Sequence, residues 1–236
     1  MIKENLARVR EEIAVACRLA GRNPQEITLV GVTKFASLEA IQEAISVGLT
    51  DIAENRVQEA EKKFPPLLAA NPGVRRHLIG HLQTNKAKDV IQVCDLIQSV
   101  DSLKLASELE KHAVKQNKTI NIFVQFNTAE EPQKFGARKE EALPLIEAIG
   151  QLAHVRIMGL MAMAPYTEDQ GIIRRAFADL RGIRDQIVKN FSGNEKIQMK
   201  YLSMGMSADY RIAIEEGSNM IRVGSAIFKE AYVEQP

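Results

Sequence analysis

The chain has 236 residues, 45% of them hydrophobic and 26% charged, which is the composition of an ordinary globular protein. Its net charge of +1 gives no broad electrostatic basis for binding nucleic acid or an anionic membrane. The charged N-terminus lacks a signal-peptide apolar segment, no apolar run is long enough to span a bilayer, and two distant cysteines suggest neither a metal nor a redox motif. We therefore expect a cytoplasmic protein without nucleic-acid or membrane partners.

Apolar runs and amphipathic segments alternate along the whole chain. An amphipathic helix over residues 2–20 comes first and ends at Gly21. The predicted strands that follow are 27–34, 51–55, 76–80, 94–100, 119–127, 155–160, 199–203 and 220–224. The predicted helices between them are 37–47, a helix after residue 55 that ends near 63, 84–93, 101–116, 138–152, 170–190 and 207–216.

Capping and breaking residues set these boundaries. Ser37, Asp101 and Ser207 are predicted N-caps, because their side-chain oxygens can accept from free N–H groups of a first turn. Pro65-Pro66 is expected to end the third helix in a loop. A polar loop is expected over residues 128–134, and a short tail after residue 224.

Strict alternation of strand and helix predicts a parallel sheet with right-handed crossovers. Eight such units in this length fit a closed (β/α)8 TIM barrel, with the first helix as an addition, in a single domain over residues 1–236. An open doubly wound sheet is the alternative, but no GxGxxG follows the first strand.

The strand 27–34, ITLVGVTK, ends in a lysine. In parallel α/β proteins the carboxyl ends of the strands build the functional site. Partial burial there would lower the pKa of the Lys34 ammonium and free an amine for Schiff-base chemistry. The plain alternative is that Lys34 begins a solvated loop.

Two glycine-containing turns follow the last two predicted strands. SMGMSAD at 203–209 offers Ser207 and free amides, and RVGS at 222–225 offers Gly224 and Ser225. Phosphate sites in barrels are often built from these two loops, although either loop alone is equally an ordinary turn. Both turns together, opposite Lys34, favour pyridoxal 5'-phosphate (PLP), which needs a lysine and a phosphate site.

The chain resembles the YggS/PROSC family of PLP homeostasis proteins, whose barrel is like that of fold-type III enzymes such as alanine racemase. The resemblance covers essentially the whole chain. The segments that carry it are VGVTK at 30–34, AENRVQE at 53–59, HLIGHLQTNK at 77–86, GLMAMAP at 159–165 and LSMGMSADYRIAIEEGSNMIRVGSAIF at 202–228.

The resemblance implies a PLP-binding barrel without the C-terminal β domain of alanine racemase. Lys34 would form the Schiff base, and Arg222 would approach the pyridine nitrogen. The other implied cofactor residues are Asn55 beside the cofactor, Ser203 and Met204 in the pocket wall, and Ser207, Gly224 and Ser225 at the phosphate. The chain departs from the family pattern at Ala53, Arg56, Arg76 and Lys229, none of them an expected cofactor ligand.

The sequence is compatible with three functions. The first is a non-enzymatic PLP carrier, expected to be a monomer, that hands its cofactor to apo-PLP enzymes. An arginine at the ring nitrogen makes the ring a weaker electron sink, and neither Tyr166 nor Tyr210 is a convincing opposite-face base. The second is a weak amino-acid racemase, and the third is a barrel for another phosphorylated metabolite. His77 and His81 are four residues apart, but without a completing ligand we expect no metal site.

Overall fold

A computed structural model describes residues 1–129, 131 and 135–232. It is a closed barrel of eight parallel strands, in which each strand pairs with its sequence neighbours and β1 pairs with β8. The strands are β1 Thr28–Val32, β2 Asp51–Glu54, β3 Arg75–Leu78, β4 Leu96–Val100, β5 Ile120–Gln125, β6 Val155–Met161, β7 Ile197–Ser203 and β8 Met220–Val223. The predicted (β/α)8 barrel is therefore confirmed, and the open sheet is excluded.

Helices surround the barrel, and the first of them is the predicted addition. The helix α1 spans Ile2–Leu19 and packs on α2, α8 and α9. The full set continues with α2 Leu38–Ser46, α3 Val57–Ala70, α4 Ala87–Val93, α5 Leu103–Gln116, α6 Ala142–Gly150, α7 Gln170–Asn190, α8 Tyr210–Glu215 and α9 Ser225–Phe228. Short 3₁₀ segments occupy Pro24–Glu26, Thr84–Lys86, Lys139–Glu141 and Lys229–Ala231.

Apolar side chains fill two separate layers. Side chains such as Val30, Phe123 and Met161 form a cluster inside the barrel. Two larger clusters lie between the strands and the helices, where Phe64, Phe177 and Phe228 are fully buried. Strands covered on both faces explain the nearly continuous apolar runs in the sequence.

The helix α3 corrects one prediction, because it continues through Pro65 and Pro66 to Ala70. A proline removes a backbone donor and crowds the preceding turn, so the sequence predicted an end there. Phe64 and Leu67 flank the pair and are 0% and 1% exposed. Packing of this apolar face outweighs the local cost of the prolines.

The N-cap predictions have mixed outcomes. Ser37 is confirmed, since its hydroxyl accepts from the N–H of Ala40 at 3.2 Å. At α5 the cap is Ser102, which accepts from Leu105, and not Asp101. At α8 the N-cap position belongs to Asp209 and not to Ser207, so the helix begins later than predicted.

Two further expectations concern loops. The predicted short tail after β8 instead forms α9 and a 3₁₀ turn. Residues 130 and 132–134 of the predicted polar loop lie outside the described residues. Within the described part of the chain, every helix is too short or too polar to cross a bilayer.

Candidate functional site

Lys34 lies at the carboxyl end of the barrel, but not within a strand. The strand β1 ends at Val32, and Lys34 follows in a turn where its side chain is exposed. The partial burial predicted from the strand reading is therefore not observed. Phe35 adopts a left-handed backbone with φ of 69°, and the Lys34 Nζ lies 5.7 Å from the centre of its ring. A non-glycine residue with this φ is uncommon and marks a tightly specified turn.

Buried polar contacts hold the residue before Lys34. The Thr33 hydroxyl donates to Glu54 Oε1 at 2.7 Å, and its N–H donates to the carbonyl of Ala53. The Lys63 ammonium donates to the Thr33 carbonyl and to Glu54 Oε1, both at 2.9 Å. No sequence pattern indicates this cluster, since Glu54 and Lys63 look like ordinary surface charges.

Asn55 lies next to β1, immediately after β2. Where β1 pairs with β2, Val32 lies opposite Ala53, two residues before Asn55. The Asn55 Oδ1 atom is buried, and no protein group among residues 1–129, 131 and 135–232 hydrogen-bonds to it. Buried polar atoms are nearly always paired, so this atom fits a partner that is not part of the chain.

Arg222 projects from β8 into the barrel and is only 3% exposed. Its Nη1 donates to the Ser203 hydroxyl at 2.6 Å, and its Nη2 donates to the carbonyl of Ala162 at 2.9 Å. Burial lowers the pKa of Arg222 to about 10, against an opposing effect of the Asp209 charge, so the guanidinium remains a cation at neutral pH. Ser203 and Met204 are fully buried beside it.

The turn after β7 depends on a glycine. Gly205 has φ of 94°, and a Cβ atom there would lie 2.6 Å from the Cβ of Ala213. The Asp209 carboxylate accepts from the Met206 N–H at 2.6 Å, which closes the turn. Ser207 is half-buried within this turn rather than at the helix start.

The turn after β8 lies against β1. A Cβ atom on Gly224 would be 3.2 Å from both the Cβ and the carbonyl oxygen of Val32, so this close approach favours glycine. Ser225 follows at the exposed start of α9. The glycine turn and the lysine turn therefore leave the barrel side by side.

The structure thus brings the predicted residues to one end of the barrel in two groups. Lys34, Asn55 and Gly224 follow adjacent strands, while Arg222 and Ser203 are in direct contact inside. An amine, a buried cation and an unpaired amide oxygen together suit an anionic aromatic aldehyde that needs a covalent anchor and polar contacts. The residues present therefore fit PLP.

Other candidates from the sequence lie elsewhere. His77 is buried in the barrel between Asp51 and Gln98, whereas His81 stacks on Phe135 near the surface. The Tyr210 hydroxyl donates to Glu12, and Tyr166 is fully exposed.

Comparison with known proteins places this arrangement in a class. The family described as "Alanine racemase, N-terminal domain" matches residues 5–231. An alanine racemase from Clostridium difficile shares the fold, with a TM-score of 0.72 at 14% identity, over 96% of this chain and 60% of the racemase. The chain is thus a barrel of the alanine racemase type.

Sequence relatives narrow the class. A pyridoxal phosphate homeostasis protein of Aquifex aeolicus is 37% identical over 96% of this chain and 97% of its own length. The Escherichia coli protein of that description is 36% identical over 96% and 95%. This chain therefore belongs to the pyridoxal phosphate homeostasis protein family, as the sequence motifs indicated. PipY of Synechococcus elongatus, solved with PLP bound, has a TM-score of 0.83 at 32% identity and covers 97% and 100% of the two chains.

Proposed function

We propose that this protein binds PLP at the carboxyl end of its barrel and serves intracellular PLP homeostasis as a carrier without catalytic turnover. The proposed contacts are Lys34 as the covalent anchor, Arg222 at the ring nitrogen, Asn55 beside the ring, Ser203 and Met204 in the wall, and Ser207, Gly224 and Ser225 at the phosphate. Family membership and the PLP-bound relative PipY support the cofactor.

The observation that carries the proposal is the adjacency of the two turns. Gly224 packs against Val32, two residues before Lys34, so an amine and a glycine turn flank the same rim. A small ligand with an aldehyde and a phosphate suits this spacing of groups. The Asn55 Oδ1, unpaired among the described residues, adds a polar contact on the side of Lys34 away from Gly224.

Bound PLP supplies an electrophilic aldehyde and an aromatic ring that can withdraw electrons. The exposed Lys34 provides the amine, and its position in a turn leaves it accessible to an incoming amine of an acceptor. Arg222 is a cation that donates and never accepts, so it disfavours a proton on the ring nitrogen. A ring held in this way is suited to storage more than to carbanion chemistry.

The surroundings of the two tyrosines support a carrier rather than a racemase. A racemase needs a second acid or base on the opposite face of the ring. The Tyr210 hydroxyl is engaged with Glu12 of α1, and burial raises the pKa of Tyr210 to about 12. Tyr166 lies fully in solvent. Tyr210 is therefore not prepared for proton transfer at neutral pH, and the exposed Tyr166 is not held in position for it.

Three measurements test the proposal. Purified protein mixed with PLP should develop the absorption band of a lysine-bound cofactor, and should transfer PLP to an apo-PLP enzyme. With L-alanine in deuterated water, the α-proton should not exchange above the rate of free PLP. Rapid exchange would overturn the non-catalytic role and establish a racemase. Absence of the band would overturn PLP binding and favour another phosphorylated metabolite.

The proposal includes a cytoplasmic monomer. Both cysteines are free thiols, as is normal in a reducing compartment. Acceptor apoenzymes would meet the exposed rim around Lys34, so a monomer leaves this rim accessible. Sedimentation of the purified protein as a single species of one chain's mass would agree with this, and a stable dimer would contradict it.

A further inference from the structure

A continuous row of hydrogen-bonded side chains crosses the interior of the barrel. Its members come from five different strands or strand ends and are at most 3% exposed. They are Asp51, His77, Gln98, Ser203 and Arg222. Barrel interiors are normally filled by branched apolar side chains, so a polar row from one end to the other is exceptional.

At the cofactor end, the hydroxyl of Ser203 has a fixed direction. It accepts from Arg222 Nη1 at 2.6 Å, because a guanidinium can only donate. The single hydroxyl proton is therefore directed to Gln98 Oε1, also at 2.6 Å. The Gln98 carbonyl thus determines the orientation in which the Ser203 hydroxyl accepts the hydrogen bond from Arg222.

At the other end, an aspartate fixes the orientation of the same glutamine. Asp51 Oδ1 lies 3.1 Å from His77 Nε2, and Asp51 also accepts from Thr50 and Arg75. Although burial opposes ionisation, the hydrogen bonds from His77 and Thr50 and the charge of Arg75 lower the pKa of Asp51. An ionised carboxylate can only accept, so His77 Nε2 carries a proton.

In a neutral imidazole with a proton on Nε2, the other nitrogen is an acceptor. Because the Gln98 carbonyl receives the Ser203 proton, its amide nitrogen faces His77 Nδ1 at 2.8 Å and donates to it, which requires a neutral imidazole. Each hydrogen bond in the row therefore allows only one orientation of the next side chain.

We infer that Gln98 is a positioning residue for Arg222. The Asp51–His77 pair selects the orientation of the Gln98 amide, the amide orients Ser203, and Ser203 fixes the guanidinium that faces the cofactor ring. The geometry of the row does not depend on the proposed function. Only the effect of the row on bound PLP rests on the proposed function.

The substitution Gln98→Met tests the inference, because methionine fills a similar volume but has no hydrogen to donate to His77 and accepts only weakly from Ser203. PLP should dissociate about tenfold faster, which corresponds to the loss of one hydrogen bond to a charged network. The absorption maximum of the bound cofactor should also shift. Ser99→Ala is the matched control in the same strand, because the buried Ser99 hydroxyl has no hydrogen-bond partner among the described residues. It should behave as wild type.

A second measurement needs neither a variant nor a cofactor. Nitrogen-15 NMR of the wild-type protein without PLP should show His77 neutral, with the proton on Nε2. An imidazolium, or a proton on Nδ1, would overturn the inference. Wild-type dissociation and an unshifted maximum in Gln98→Met would overturn it as well. If PLP does not bind at all, the proposed function is wrong. The protonation state of His77 still tests the proposed orientation of the side chains in the row.

Discussion

The ammonium of Lys63 donates a 2.9 Å hydrogen bond to the carbonyl oxygen of Thr33, the residue immediately before Lys34. The same ammonium pairs with Glu54, whose side chain is 1% exposed, while that of Lys63 is 12% exposed. A buried ion pair from α3 therefore holds the backbone that presents the proposed anchor. The turn that carries Lys34 is thus held by a charge from α3.

Substitution of Lys63 by methionine should destabilise the protein. It keeps the apolar stem but leaves the Glu54 carboxylate buried without its cation, which costs about 3 to 5 kcal/mol. Urea unfolding monitored by circular dichroism measures this loss. The bound cofactor should also form its lysine link more slowly, since the turn before Lys34 loses one restraint.

Two further variants separate the ion pair from general damage to α3. Lys62→Met removes a neighbouring lysine whose side chain is 72% exposed, and should change stability by less than about 0.5 kcal/mol. The double variant Lys63→Met with Glu54→Gln should recover part of the loss, because no charge is then left unpaired. An equal loss in Lys62→Met would contradict the role given to Lys63.

Asp51 should make stability depend on acid pH. Its folded pKa is depressed below the unfolded value of about 3.9, so its contribution is complete above that pH and disappears as the pH falls through the folded pKa. Asp51→Asn should therefore be less stable at neutral pH by about 2 kcal/mol, the usual worth of a hydrogen bond to a charged group. The gap to wild type should narrow below about pH 4. Denaturant unfolding across this range measures the gap.

Asp185 offers a matched control for the acid dependence, because its side chain is 60% exposed and bonds only to its neighbour Arg184 among the described residues. Asp185→Asn should leave the pH profile of wild type unchanged. A difference between Asp51→Asn and wild type that stays constant from neutral to acid pH would refute the assignment of an ionised, stabilising Asp51.

Two glycines should respond to alanine in opposite directions. Gly205→Ala places a methyl group 2.6 Å from Ala213 at a φ of 94°, so it should destabilise the protein by about 2 kcal/mol or more and weaken PLP binding. Gly182 lies within α7 with nothing near its missing side chain, so Gly182→Ala should stabilise by about 1 kcal/mol. Thermal unfolding measures the change in stability of both variants. Changes of the same sign would contradict the role given to Gly205 in the turn after β7.

Much of the barrel could be predicted because each element has a strong local signal. The helix α7 has the predicted bounds, since its apolar residues repeat at helical spacing and Asp169 caps it. The third helix was wrong at its end because the packing of Phe64 and Leu67 is a tertiary effect that no local pattern contains. Proline chemistry alone could not indicate it.

The residue types of the candidate site could be named from the sequence, but the connections between them could not. Lys34, Arg222 and Gly224 were identified from motifs at strand ends, whereas the row through Gln98 depends on five strands meeting inside a closed barrel. The signal that was present, a glutamine inside the apolar strand LIQSV, indicates an inward polar group without naming its partners. Barrel closure supplies the partners.

Removal of the proposed anchor should separate covalent from non-covalent binding. Lys34→Ala should lose the absorption band of the lysine-bound cofactor, yet retain PLP at an affinity weaker by about one to two orders of magnitude, because the turns and Arg222 remain. Equilibrium dialysis measures the residual binding. Lys229→Ala removes another exposed lysine and should bind as wild type. Complete loss of binding in Lys34→Ala would show that the covalent link supplies most of the affinity.

The most direct test of the account is chemical trapping of the lysine that carries PLP. The loaded protein is reduced with borohydride, digested, and its peptides are analysed by mass spectrometry. The account predicts a pyridoxyl group on Lys34, with none on Lys63, whose ammonium is already held by Thr33 and Glu54. A pyridoxyl group on any other lysine, or on none, would contradict it.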